Sequence, residues 1–258
     1  MFKIQHPLIE DQNISYGFFT RNGGFSKQPF NTLNCSLNID DNEINVQKNL
    51  SLVRNELDLK NIIRLHQVHS SDVIIVDKTN LHNNVYKADG LVTNVKNIGL
   101  SILGADCAPI LFYDQVSKII GACHAGWRGA VNNIIENTIL KMEKIGAKRD
   151  NITAIIGPTI QKNSYEINED VANIVKETFF FKKNKSILFP KNNKKYLFDL
   201  PLLLKESFKI SQINKFGDVK IDTYENSDLF FSHRRSTHKN LRKVIKTGRQ
   251  ISVIGILK

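Results

Sequence analysis

The chain has 258 residues, 41% of them hydrophobic, and a formal net charge of +11, a length that holds one large domain with a sizeable core or two small ones. The charge does not mark a nucleic-acid binder: lysine is spread along the chain beside asparagine and isoleucine, and the densest basic stretches, FFKKNK and PKNNKK, lack interleaved stacking aromatics. No apolar run approaches the ~18 residues of a membrane span, and three cysteines are an odd, sparse set that argues against a disulfide framework and for a reducing compartment.

The N-terminus, MFKIQHPLIEDQ, has no long apolar core and does not read as a signal peptide; the expected location is cytoplasmic, with no membrane and no nucleic-acid partner. A short strand or two ends in YGFFT, and Arg21 to Gly24 reads as a turn. Asp41 to Leu57 has helical spacing through Ile44, Val46, Leu50, Val53 and Leu57. Strands are expected at Ile62 to Val68 and Val73 to Val76, around HQVHSSD. On a strand the spacing of His66 and His69 sends them to opposite faces, so one of them faces inward. In ADGLVTN, Asp89 reads first as a turn residue, with an acid or a partner of a metal ligand as alternatives. Gly99 to Leu103 is a further strand.

The stretch from Gly104 to Gly129 carries most of the chemistry. Ala108 to Asp114 and Ile119 to Cys123 read as strands joined by the short polar link Gln115 to Lys118. A hairpin there sets the residues near Cys107 opposite those near His124, ~5 Å apart, close enough to share a ligand or a proton. Either residue alone reads as core; together, beside the turn Gly126–Trp127–Arg128–Gly129, they read as a site. Two histidines and one cysteine would make a catalytic zinc set with a fourth position open. Cys123, next to His124 on the strand, should face the other side.

From Ala130, VNNIIENTILKMEKIG reads as an amphipathic helix closed by Gly146. The Gly126–Gly129 turn would then sit at its N-terminus, where free N–H groups, the helix dipole and Arg128 favour an anion. The alternative is a capping turn with Arg128 in a surface ion pair. Ile152 to Ile156 is a strand and Glu169 to Phe181 a helix. Lys182 to Lys195 reads as a basic loop, Asp199 to Phe208 as a helix with Pro201 in its first turn, and Val219 to Asp222 as a strand. If FFSHRR is extended, Arg234 and Arg235 alternate, so at most one faces a pocket. Ile251 to Leu257 closes the chain as a strand. No linker is long enough to divide domains, so residues 1–258 are expected to form one.

HQVHS, ADGLVTN, GADCAPILFYD and GACHAGWRG, in that order, resemble the YfiH family, as do TRNGGFSKQPFNTLN, IGPTIQKNSYEI, DTYENSDLFFSHRR and TGRQISVIGI. The resemblance covers nearly the whole chain. It implies an α/β (α+β) fold, a layered sandwich of two mixed sheets flanked by helices, similar to the catalytic domain of cytotoxic necrotizing factor. It also implies a zinc-dependent purine nucleoside phosphorylase, once described as a multicopper polyphenol oxidase. The implied partners are inorganic phosphate and adenosine, inosine, guanosine or S-methyl-5'-thioadenosine, with adenosine deaminase activity besides. His69, Cys107 and His124 would be zinc ligands and catalytic residues. Arg128, Gly126, Gly129 and Arg235 are the substrate-binding candidates, and Asp89 or Asp106 the acid/base, although Asp106 on a regular strand would point away. A monomer or weak homodimer is expected. The chain departs from the family at Leu50, where an arginine is usual, and at Thr159, Ser164 and Asp222, where cysteine is frequent. Two other enzyme readings stand beside this one. In the first, Cys107 is the nucleophile of a cysteine hydrolase or amidase, with His124 as its base and cell-wall precursor editing as its setting. In the second, the same donors hold copper for polyphenol oxidation, although seven scattered histidines do not supply several copper clusters. A non-enzymatic nucleotide-binding or partner-binding protein is the remaining reading.

Overall fold

The computed structural model describes residues 3–37, 39–81, 86–239 and 246–257. In chain order the first elements are β1 (Lys3–Ile4), β2 (Ile14–Phe19), α1 (Glu43–Glu56), β3 (Asn61–Ile63), β4 (Leu65–His66), β5 (Val73–Ile75), β6 (Tyr86–Lys87), β7 (Gly90–Thr93), β8 (Ile98–Gly104), β9 (Ala108–Asp114) and β10 (Ile119–Ala125). Then come α2 (Trp127–Val131), α3 (Ile134–Lys144), β11 (Ile152–Ile156), β12 (Glu166–Asn168), α4 (Glu169–Glu177), α5 (Phe179–Lys183), β13 (Leu188–Pro190), β14 (Lys195–Phe198), α6 (Leu200–Ile210), β15 (Lys215–Asp218), α7 (His233–Lys239) and β16 (Gln250–Ile256).

Two mixed sheets carry the fold. One runs β1-β2-β16-β8-β3 and the other β15-β11-β9-β10-β7-β5. Side-chain alternation along the strands sorts the apolar residues into layers. In β9, Leu111 and Tyr113 join Tyr16, Phe18, Leu100 and Ile254 in the core between the sheets. Ile110 and Phe112 point the other way, onto Ile139 and Met142 of α3 and Leu204 and Phe208 of α6. On the far side, Ile251 and Val253 of β16 meet Val46, Leu50 and Val53 of α1. The order is therefore helix, sheet, sheet, helices: the α+β sandwich expected from the resemblance. Burying a side chain such as Phe112 in these layers contributes roughly 1.5–3 kcal/mol. No helix among the described residues is long and apolar enough to cross a membrane.

Several expected elements differ. The strand over Ile62 to Val68 is divided into β3 and β4, and His69 lies beyond both in a bend with φ 59°, so the two-face argument for His66 and His69 does not apply. The helix expected from Ala130 is interrupted: α2 ends at Val131, and α3 begins after Asn133, which holds φ 64°, a left-handed state that asparagine tolerates. Lys182 to Lys195 is not a loop. Its ends are α5 and β14, and β13 pairs antiparallel with β14. The expected strand at Val219 to Asp222 lies earlier, as β15 parallel to β11; Asp222 makes an isolated bridge with Thr159. FFSHRR is not extended. α7 starts at His233, and Ser232 Oγ accepts from Arg235 N at 3.1 Å, a helix N-cap. Asn49 stands where the family's helix signature lies. It is buried and holds the N-terminal segment, accepting from Phe25 N at 2.8 Å and donating to Ser26 Oγ at 2.9 Å and Asn34 O at 2.7 Å.

Candidate metal centre and its cavity

The β9–β10 hairpin builds the centre. Its register pairs Ala108 with Ala125 and Pro109 with His124, which brings Cys107, just before β9, to the end of β10. There the side chains of His69, Cys107 and His124 each offer one ligand atom, all within 4.8 Å of one another. Cys107 Sγ is 4.0 Å from His69 Nε2, and the two imidazoles meet edge to face at 4.9 Å. Cys123 belongs instead to the helix-side core, as strand alternation requires.

Asp89 explains how His69 arrives. Its buried carboxylate accepts from Val68 N at 3.1 Å, His69 N at 3.0 Å, Ser70 N at 2.7 Å and Ser70 Oγ at 3.0 Å, and it meets His124 Nδ1 at 2.8 Å. One side chain thus folds the bend that carries His69 and fixes the ring of His124, leaving Nε2 of His124 for a ligand. This is the arrangement in which a carboxylate orients a metal-binding histidine. Burial alone would raise the Asp89 carboxyl; the hydrogen bond and charge of His124, with the Ser70 and Val68 amides, outweigh it and hold it at about 2. Burial would likewise raise the Cys107 thiol, but His124 and then His69 pull it below the usual thiol range. His124 moves upward against its burial, drawn by Cys107 and Asp89. Cys107 is therefore disposed to be a thiolate, the form that binds metal.

The donor set fits zinc. Tetrahedral coordination at 2.0–2.3 Å would draw the three atoms to ~3.5 Å apart, an adjustment of about an ångström. Gly126 leaves the room: a Cβ there would lie 3.0 Å from Cys107 Sγ and 3.1 Å from His69 Cδ2.

Asp106 is no free acid/base. It is not on a strand but turns the chain with φ 100°, and its carboxylate accepts from Thr223 Oγ1 at 2.7 Å, Ser232 Oγ at 2.9 Å and Arg234 N at 2.7 Å. Thr159 Oγ1 and Ile160 N donate to its carbonyl at 2.6 and 2.9 Å. Asp106 clamps three distant segments around the centre.

The centre opens into a cavity of about 380 Å³ whose walls include Leu65, Leu103, Ile160 and Leu200, with Gln67, Tyr165, His233, Arg234 and Arg249 as polar groups. The sequence reading missed Tyr165, His233, Arg234 and Arg249 as site residues. The signals were present in NSYEI, FFSHRR and TGRQ. Of the substrate-binding candidates, Gly126 packs on Cys107 and His69, and Gly129 packs on the carbonyls of Ser70 and His124 behind them. Arg128 is exposed, stacks 4.4 Å from the Trp127 ring and is not among the wall residues, although its charge reaches Tyr165 of that wall. Its turn begins only the five-residue α2, not the long helix on which the anion argument relied. Arg235 donates Nη1 to the carbonyls of Thr223 and Tyr224 at 2.7 Å and Nη2 to that of Phe230; it braces the fold and is absent from the wall.

The fold and the site define an α+β sandwich protein with a His/Cys/His centre, braced by an aspartate, in the wall of a cavity of mixed polar and apolar lining. The family profile described as multi-copper polyphenol oxidoreductase laccase matches residues 15–257, and the chain belongs to that family, the YfiH family. A purine nucleoside phosphorylase of Rickettsia prowazekii is 34% identical over 234 residues, covering 90% of this chain and 92% of its own length. The purine nucleoside phosphorylase YlmD of Bacillus subtilis is 30% identical over 262 residues, covering 95% and 90%. The crystal structure of the hypothetical protein YfiH from Bacillus licheniformis superposes with a TM-score of 0.86 at 28% identity, covering 95% of this chain and 93% of that one.

Proposed function

We propose that the protein cleaves purine nucleosides with inorganic phosphate at a zinc centre held by His69, Cys107 and His124. Adenosine, inosine, guanosine and S-methyl-5'-thioadenosine are the substrates, and adenosine is also deaminated. The observation that carries the reading is the convergence of three metal-binding side chains, within 4.8 Å, on a nucleoside-sized cavity in a chain whose relatives are named for this reaction.

In phosphorolysis a phosphate oxygen forms a bond to ribose C1′ while the N9–C1′ bond breaks. The electron pair stays on the purine, which takes up the proton that the attacking hydrogen phosphate gives up. Leu65, Leu103, Ile160 and Leu200 give the cavity an apolar face against which a purine or ribose can pack. Bound zinc supplies Lewis-acid polarisation and the activation of water near neutral pH that deamination needs. Asp89 holds the His124 ring in place through the 2.8 Å contact. Burial, reinforced by Arg249 and Arg234, lowers His233, so it faces a bound base as a neutral imidazole with one N–H and one acceptor. Burial raises the Tyr165 phenol, which stays protonated and available as a donor. Incubating zinc-loaded protein with a nucleoside panel, with and without phosphate, tests the reading: free purine should form in step with phosphate consumed. No purine from any of the four nucleosides would refute it.

A specific observation supports a cysteine hydrolase as the second reading: the Cys107 thiol is pulled down by His124 and His69, as in a nucleophile–base pair. The two separate on one comparison. Chelation abolishes activity if the thiolate is a ligand, and leaves it if the thiolate is the nucleophile. The polyphenol oxidase reading has less support, since only one group of three or more metal-binding side chains stands among the described residues.

A further inference from the structure

We propose that Arg249 and Arg234 form the anion subsite of this cavity and that inorganic phosphate is its ligand. The assignment rests on the phosphorolysis reading and replaces Arg128, which stands outside the wall, as the phosphate residue.

Arg249 is placed by its backbone. Its N–H donates to Asn34 Oδ1 at 3.0 Å and its carbonyl accepts from Cys35 N at 3.1 Å. Just before it, Gly248 lies so close to the Phe231 ring that a Cβ would stand 2.5 Å from it. The guanidinium lines the cavity and its Nη1 donates to the carbonyls of Thr247 and Gly248, each at 3.0 Å. Among the described residues it makes no ion pair. Arg234 reaches the same wall from the first turn of α7. Its Nη1 donates to Glu166 O at 2.6 Å, and its guanidinium lies 5.4 Å from the Tyr165 ring. It too has no ion-pair partner among the described residues.

Both cations therefore satisfy part of the fork on neutral carbonyls and leave further N–H donors on each guanidinium. Nε and Nη2 of Arg249 have no described protein acceptor. Burial disfavours the charged form of Arg249, and the charges of Cys107 and Asp106 work against that. An anion on its free donors would offset the burial further. Planar forks suit the oxygens of phosphate in bidentate contacts. The acid of the same wall, Asp106, is already engaged by three donors and does not close the subsite. Phosphorolysis needs phosphate beside the nucleoside, and these two forks are the arginines of the cavity wall.

Phosphate binding to the zinc-loaded protein is measured by calorimetry for wild type, Arg249→Gln, Arg234→Gln and, as a control, Arg128→Gln. Losing one charge-assisted contact should weaken phosphate roughly 10- to 150-fold in each of the first two, with Arg128→Gln within about twofold of wild type. In the wild type, phenylglyoxal labelling mapped by mass spectrometry should fall at Arg249 and Arg234 when phosphate is saturating; this arm needs no variant to fold. Unchanged phosphate affinity in both Arg249→Gln and Arg234→Gln, or labelling that phosphate does not suppress, overturns the subsite. If the wild type releases purine while both variants keep its KM for phosphate, the subsite fails and the phosphorolysis reading stands. If phosphate binds through the two arginines but no nucleoside is split, the subsite stands and the phosphorolysis reading fails.

Discussion

Replacing Asp89 by Asn should damage the fold and the metal centre together. Oδ2 accepts from Val68 N, Ser70 N and Ser70 Oγ, and Oδ1 meets His69 N and His124 Nδ1. Whichever oxygen becomes the amide NH2, at least two groups lose their acceptor. At about 1–3 kcal/mol for each unsatisfied buried group, the loss is about 2–6 kcal/mol. The same change frees the bend that carries His69 and the ring of His124, and loss of such an orienting carboxylate costs about 10- to 100-fold in metal affinity. Urea unfolding of the metal-free protein measures the first effect, and zinc competition against a chromophoric chelator the second. The carboxyl is held at about 2 in the folded chain against ~3.9 unfolded. Its contribution is therefore full above about pH 4 and fades as pH falls through about 2; Asp89→Asn should lack this part of the acid transition. Stability within 0.5 kcal/mol of wild type, as an order-of-magnitude threshold, together with zinc affinity within about twofold, would refute the brace.

The other expectations concern neighbours of the centre. Gly126→Ala should lower zinc affinity several-fold in the chelator titration, because the new Cβ meets Cys107 Sγ at 3.0 Å and His69 Cδ2 at 3.1 Å. Arg128→Ala should leave the KM for phosphate within about threefold in a purine-release assay, since the side chain stacks on Trp127 outside the cavity and an exposed contact of this kind is worth about 0.5–1 kcal/mol. In metal-free protein, Cys107 should be alkylated by iodoacetamide at a rate that rises with pH and levels off at least a unit below the ~8.5 of a free thiol, because its thiol is lowered. Cys35 and Cys123 are buried and raised and should stay unlabelled by mass spectrometry.

What could be read from the sequence was mostly local. The β9–β10 hairpin is two apolar runs with a short link, so its register, and with it the approach of Cys107 to His124, follows from neighbouring residues alone. His69 is singled out over His66 by the family likeness alone. Strand alternation does not decide between them, because Asp89, twenty residues on, bends the chain at His69. Asp106 shows the same limit: alternation would point it away, yet φ 100° turns it onto Thr223 and Ser232. Arg234 and Arg249 reach the cavity from segments far from the hairpin in sequence, where no periodicity marks which arginine faces inward. One clue was there to read, since serine at 232, just before HRRSTHK, is a residue type favoured at helix N-caps. The pair Asn132–Asn133 likewise marks the break between α2 and α3.

The central claim is that zinc held by His69, with Cys107 and His124, and not by His66, supports nucleoside cleavage. Zinc content and phosphate-dependent release of hypoxanthine from inosine, measured on the same preparations of wild type, His69→Ala and His66→Ala, test it most directly. The account predicts about one zinc per chain in the wild type, loss of both zinc and purine release in His69→Ala, and retention of both in His66→Ala. Zinc and activity that survive in His69→Ala, or that disappear in His66→Ala instead, would contradict it.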